Sequence, residues 1–514
     1  MRNGNNWLIA FLLMALMFTA SATENMHLRP CRVGKNNPEF VKRRACAKQA
    51  DNNPYMGERR QLVVLASFKD RTFADDPETT LAQWNRIFNE NGFNEGDYVG
   101  SVHDYFYVQS AGKFNLSFDL KYVALPDSCK KYRSTYSDDE NSQYMVDDIV
   151  DALMQEEVDW SLYDWNGDQF VNQLLIIYAG LGMNSGGGSN SIWPHQWWLS
   201  QHEDLTTPDR SDFRGYRTVT YGDKEYFVDS YCCVQEVASS NRNESTFGTL
   251  CHEYSHCFGL PDFYYGSTPM VGDWDVMDYG NFNGNGYRPC NYSAHERMLM
   301  GWLEPVELTE PTIVTDMPAF GISSVAYLIR NDAVENEYYI IENRQQEGWD
   351  ADLPGQGIVV FHVDYDKEVW EKSFPNTTLN KRYSIIPANN KTSTSTSSLS
   401  KWAYPYIVLD SQENDSIANN CLTNDSQPAA TLNNANLDGK KRMSKPITKM
   451  AVDVNGLASF VFMAADETEA IKQTPVLTTD NDVWYTLEGR KLQNAPTAPG
   501  VYIRGGKRMI FPSL

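Results

Sequence analysis

HEYSHCFGLPD, residues 252–262, is the stretch on which the reading of this chain turns. Residues four apart on an α-helix share a face, so His252 and His256 present ring nitrogens to one point, with Glu253 beside them. Two imidazoles and a carboxylate at this spacing suit a catalytic zinc ion, which takes three protein ligands and keeps a fourth position for water. Such an ion lowers the pKa of its water towards about 7, and Glu253 is placed to take the proton as general base. Phe247, Leu250, Cys251, Tyr254 and Phe258 recur at spacings of three and four, an apolar stripe that predicts a helix with its histidines on nearly the opposite side. Gly259 suits the left-handed conformation that ends a helix, and Pro261 prevents its resumption. The chain then turns back, which makes Asp262 the candidate third ligand.

Length and charge narrow the class. A chain of 514 residues with 41% hydrophobic content supports two or three domains with real cores. The net charge of −23 argues against a nucleic-acid partner, which needs a basic face. Arg2, an apolar run over residues 7–18 and the small residues Ala20, Ser21 and Ala22 read as a signal peptide, residues 1–22, so a secreted or cell-surface location is expected. No later stretch approaches the roughly 20 apolar residues of a membrane span. Nine cysteines leave at least one free, metal-facing or paired outside the chain. Cys251 and Cys257 are too far apart on a regular helix to pair with each other, which leaves Cys232, Cys233 and Cys290 as candidate partners. Oligomeric state is not legible.

Residues 23–60 are polar, contain the basic run Lys42, Arg43, Arg44, end in Arg59 and Arg60, and read as a pro-segment; Cys31 or Cys46 is a candidate thiolate to mask the metal until that segment is removed. A folded domain is expected over 61–305. Residues 62–68 and 174–178 are strand-like runs, 81–88 and 145–154 are helical, and Ser101 with Asp104 suits a helix start that Gly112 stops. Strands and helices in that order predict an α+β domain, a mixed sheet above the active-site helix. Asp164, Asn166, Asp168 and Asn172 alternate as in a calcium loop, yet Leu175 stands where a bidentate glutamate would close it, so Ca²⁺ competes with a solvated turn. Past residue 305, short apolar runs such as 338–341 and 358–361 predict a β-rich accessory domain over 306–465, with the Ser/Thr run 392–398 as a linker or inserted loop. Residues 466–514 read as a small C-terminal β module.

HEYSHCFGLPDFY followed by WDVMDYG resembles the immune inhibitor A family of secreted bacterial zinc metallopeptidases, in the metzincin clan. The resemblance runs over residues 61–305 and includes SVHDYFYVQSAGKF. It implies a metzincin-like catalytic domain with Zn²⁺, Met277 as the hydrophobic floor of the site and Tyr279 assisting the oxyanion. A histidine is more usual in the clan where Asp262 stands, and some zinc peptidases take their third ligand from a glutamate on a later helix, so Glu296 is the alternative ligand. VWYTLEGRKL and APGVYIRGGKRMI resemble the sorting tails of type IX secretion. The function implied is a secreted zinc endopeptidase acting on protein or peptide substrates, with Glu253 as base and then proton donor. Two alternatives stand beside it: a secreted binding or adhesion protein with a degenerate protease fold, against which the intact Glu253 argues, and a zinc hydrolase of non-peptide amides.

Overall fold

Leu62 to Ala66 are wholly buried, and a run of apolar residues with no polar alternation suits a strand covered on both faces. In the computed structural model this run lies in strand β1 (Gly57–Ser67), an interior strand of a five-stranded sheet. The structure describes residues 53–464 apart from 134–140, 202–214, 242, 372–374, 378, 380 and 409–415, together with 471–473, 484–486, 491–492, 496, 500–504 and 507–511. The signal peptide, the basic run at 42–44, Cys31 and Cys46 lie outside the described residues.

β1 pairs in parallel with β2 (Phe114–Ala124) on one side and β3 (Leu174–Leu181) on the other. An edge strand, β4 (His195–Trp198), a hairpin of β5 (Arg217–Tyr221) and β6 (Lys224–Val228), and β7 (Ser230–Val237) follow. The sheet order is β2-β1-β3-β7-β4, and only β4 runs antiparallel to its neighbour. Period-two alternation divides the side chains between two cores. Leu62, Val64, Ile176 and Cys233 face helix α3 (Ser142–Leu153). Val63, Leu65, Ile177 and Val234 join the core that also takes α1 (Pro77–Asn89), α2 (Val102–Gln109) and α4 (Phe247–Ser255). The start of α2 is the expected one: Ser101 Oγ accepts from Asp104 N, Asp104 returns the bond to the Ser101 backbone, and Gly112 takes φ +77° beyond the helix end.

β1 begins at Gly57, so residues 57–60 of the expected pro-segment are strand. Upstream of it Tyr55 is buried against Phe258, and its hydroxyl donates to Cys257 O at 3.1 Å. Cleavage at Arg59 or Arg60 would therefore cut inside a paired strand.

After α5 (Ala294–Leu299) come β8 (Val306–Glu307), β9 (Thr312–Met317), β10 (Ala326–Arg330), β11 (Glu337–Arg344), β12 (Gly357–Asp364) and β13 (Tyr383–Ile385). Strands β13-β12-β11-β10-β8 make a second sheet. Every residue of β11 and β12 is buried, because the sheet is covered on both faces. Leu328, Ile340, Val359 and Phe361 enter the same core as α4. Ile329, Ile341, Ile358 and Val360 face a third core. A two-stranded ribbon, β14 (Tyr406–Val408) and β15 (Ser416–Asn419), leads to β16 (Ile447–Val452) and β17 (Ala458–Phe462), which with β9 form most of a third sheet against that core.

The texture change near residue 305 thus marks a switch from mixed helices and strands to mainly strands, while the hydrophobic core continues across it. Charged groups reinforce the join. Arg344, fully buried, meets both oxygens of Asp350 at 2.8 Å and Glu342 at 3.2 Å, and Glu342 accepts from Ala294 N at 2.6 Å at the start of α5. The Ser/Thr run does not behave as a free linker: it ends in a short helix, Thr396–Leu399, whose Leu399 O accepts from Trp274 Nε1 at 3.2 Å. Past residue 465, strand β18 (Ile471–Gln473) pairs with β9, and four further strands form a separate antiparallel sheet: Trp484–Thr486, Lys491–Leu492, Gly500–Arg504 and Lys507–Phe511.

Candidate metal centre

Helix α4 forms where the apolar stripe is: Phe247, Leu250, Cys251 and Tyr254 are buried in the core between the two large sheets. Its last turn tightens to a 3₁₀ turn, His256–Phe258, and Gly259 follows at φ +83°, ψ +19°. Space is not what Gly259 supplies, since nothing lies within 4 Å of where a Cβ would stand; the left-handed backbone is. The chain then doubles back. Asp262 Oδ1 ends 3.2 Å from His252 Nε2 and 3.3 Å from His256 Nε2.

Both imidazoles are oriented from behind. His252 Nδ1 lies 2.7 Å from Val276 O and His256 Nδ1 lies 2.8 Å from Leu260 O. A carbonyl can only accept, so each Nδ1 carries a proton, and in the neutral ring each Nε2 is left free to ligate beside Asp262. All three side chains are buried, and His256 Nε2 and both Asp262 oxygens lack a hydrogen-bond partner. A carboxylate buried in that way is costly unless a cation compensates it. A tetrahedral ion bonded at about 2.0–2.1 Å sets its donors about 3.3 Å apart, and the two measured separations fall at that value. Two nitrogens and one hard oxygen form a donor set that suits Zn²⁺, and this is the His/Cys/Asp/Glu group among the described residues with the spacing of a metal site.

Electrostatics agree with that pairing. Burial alone would raise the pKa of Asp262, but His256 and His252 outweigh it and hold the carboxyl well below the usual carboxylate range. Burial would lower His252, yet the contact with Asp262 and the charge of Glu253 raise it. A dication in place of the proton would keep Asp262 ionised and His252 neutral. Glu253 is nearly buried, its Oε2 3.9 Å from His256 Nε2.

The turn over residues 275–279 is stitched to both arms of the site. Val276 O orients His252, and Met277 O accepts from Phe263 N at 2.9 Å, one residue past Asp262. Met277 is fully buried, and its own N–H donates to Asp275 Oδ1 at 2.8 Å. The Tyr279 hydroxyl donates to Ser267 O at 2.9 Å, and its ring stands edge-on, 6.4 Å from Tyr264, whose ring stacks on His252. Glu296 is not brought to the group. Its Oε2 accepts from Ser293 N at 2.6 Å and Ser293 Oγ at 3.0 Å, closing the capping box of α5. The calcium candidates are elsewhere too. Asp164 accepts from the backbone of Gly167, Asp168 and Gln169, Asp168 from Phe170 N, Asn172 from Trp165 N, and Asn166 donates to Asp168. These oxygens brace a turn before β3, and the loop supports no calcium assignment. The expected cysteine pairing does not form either: Cys251 and Cys290 are buried free thiols.

Tyr383, on β13, was not found from the sequence. Its ring stacks on Phe263 at 3.8 Å, and its hydroxyl donates to Asp275 Oδ2 at 2.7 Å while lying 2.9 Å from Ser293 Oγ. Asn376 adds a bond to Phe263 O at 2.8 Å. One side chain of the second half thereby clamps the turn that carries Asp262 to the turn that carries Met277. Its segment, RYSIIPANN, gives no local signal for this. Tyr383→Phe keeps the stack and loses the hydroxyl, leaving a buried carboxyl short of a donor. Urea denaturation is expected to show a stability loss of about 1.5–3 kcal/mol; an unchanged midpoint would show that the clamp contributes nothing.

Comparison with known proteins adds a family to this geometry. Residues 65–301 match the model of the immune inhibitor A peptidase M6 catalytic domain. Immune inhibitor A of Bacillus thuringiensis subsp. alesti is 24% identical over 294 residues, which cover 49% of this chain and 41% of that protein. The chain therefore aligns with less than half the length of this curated relative. Both findings support an immune inhibitor A-like peptidase, and a peptidase of that family implies a metal, typically zinc. The matched segment starts inside β1 and ends just past α5, so it contains the whole His252, His256, Asp262 group.

Proposed function

We propose that this chain is a secreted zinc endopeptidase. The observation that carries the reading is the buried group of His252, His256 and Asp262, with orphaned donor atoms at zinc spacing and Glu253 on the same helix, inside the segment that matches a peptidase family. His252, His256 and Asp262 would hold the ion, which when bound supplies a water of lowered pKa and polarises the peptide carbonyl. Glu253 accepts the proton of the attacking water and delivers it to the departing amine. Val276 O and Leu260 O keep the two imidazoles in the ligating tautomer throughout. Tyr279 would assist the oxyanion by releasing Ser267 O, and Met277 fills the floor of the site. Export rests on residues 1–22 and their small-residue cleavage pattern. No helix among the described residues is long and apolar enough to cross a membrane.

Incubating the purified protein with denatured protein substrates tests the reading. Hydrolysis is expected, with loss on adding a zinc chelator and return on adding Zn²⁺. Hydrolysis indifferent to chelation would overturn the metal assignment, and a folded, zinc-loaded protein without hydrolysis would favour the binding-protein alternative.

A further inference from the structure

A cavity of about 350 Å³ opens beside α4. Its wall on that helix is Thr249, four residues before Glu253 and hence on the same face, so the cavity lies one turn from the proposed base. Tyr279 and Phe282, just past Met277, also line it, which sets it between α4 and the turn over residues 275–279. A side chain flanking the scissile bond would enter here if a peptide lies along Glu253.

Tyr279 and Phe282 give the cavity an apolar side, and Gln235 and Glu244 give it two acceptors. Gln235 is fully buried; its Nε2 donates to Ser185 Oγ at 3.1 Å, and its Oε1 has no hydrogen-bond partner. Glu244 is exposed and is the one charged residue among the described residues that line the cavity. A neutral acceptor held without a donor and a carboxylate together ask for a cationic group with several N–H donors. An aliphatic side chain would leave Gln235 Oε1 unmatched, and a carboxylate would meet Glu244 as a like charge. We propose that this cavity is the pocket that selects an arginine or lysine side chain beside the cleaved bond, with Glu244 and Gln235 as its specificity residues.

This inference rests on the peptidase reading, and the test separates the two. Cleavage sites in a denatured protein mixture are mapped by mass spectrometry for the full chain and for Glu244→Lys. In parallel, binding of matched peptides carrying arginine or glutamate at one position is measured by calorimetry on the zinc-loaded Glu253→Ala protein, with and without Glu244→Lys. Arginine and lysine are expected at one fixed position beside the cleaved bond, and the arginine peptide is expected to bind better. Reversing the charge at Glu244 should lower the arginine-over-glutamate ratio in both readouts on the order of tenfold, with zinc content unchanged. Hydrolysis with no basic preference, or one that Glu244→Lys leaves intact, overturns the pocket and spares the peptidase. Arginine-selective binding without hydrolysis by the wild-type chain keeps the pocket and removes the peptidase. Neither hydrolysis nor selective binding removes both.

Discussion

Glu253→Ala is expected to lower the rate of peptide hydrolysis by on the order of 10²–10⁴-fold while the protein keeps its zinc and its fold, because general base catalysis contributes about that much. Three features make the result informative. Glu253 sits on α4 between the two histidines, so alanine, the best helix former, leaves the helix intact. The ring orientations of His252 and His256 depend on Val276 O and Leu260 O and not on Glu253. The carboxylate of Asp262 reaches both imidazoles without it. Metal content measured beside the rate therefore separates a lost base from a lost site. Near-normal hydrolysis by a zinc-loaded, folded Glu253→Ala protein would sink the assignment.

The parts of this molecule that were legible in its sequence are those whose causes are local. Periodicity at three and four marks α4, Gly259 and Pro261 mark its end, and the side chains they bring together are close in sequence, six residues from His256 to Asp262. The capping box at Ser101 and the buried runs in β1 and β3 are local in the same sense. What the sequence hid depends on distant partners. Tyr383 reaches Asp275 across 108 positions, and nothing in the composition around either residue announces the other. A change of texture near residue 305 says nothing of where the core ends. Such a change reports secondary structure, whereas Leu328, Ile340 and Phe361 pack into the core that holds α4. The Asp164 loop is ambiguous for a third reason. Alternating Asp and Asn supply oxygens equally well to an ion or to the N–H groups of a tight turn, and only the backbone decides which.

Zinc affinity is expected to fall about 10²-fold or more in Asp262→Ala, since removing even an outer partner of a ligand typically costs 10–100-fold. Glu296→Ala is expected to leave that affinity nearly unchanged. The contrast follows from where each carboxylate points its oxygens. Asp262 is delivered by a short turn, which keeps the closure entropy small, and it arrives with both oxygens free of hydrogen bonds beside two imidazoles. Glu296 instead caps α5 through Ser293, in a network with Asp275 and Tyr383, and burial raises its pKa well above the usual carboxylate range. A carboxyl held towards its neutral form is a poor ligand, because binding a dication requires its proton to leave. Its removal should appear as lost stability, about 0.5–2 kcal/mol for the cap alone, with the zinc still bound. Thermal denaturation and a competition titration against a coloured chelator, run on both variants, separate the two roles. A large loss of zinc affinity in Glu296→Ala with little change in Asp262→Ala would exchange them.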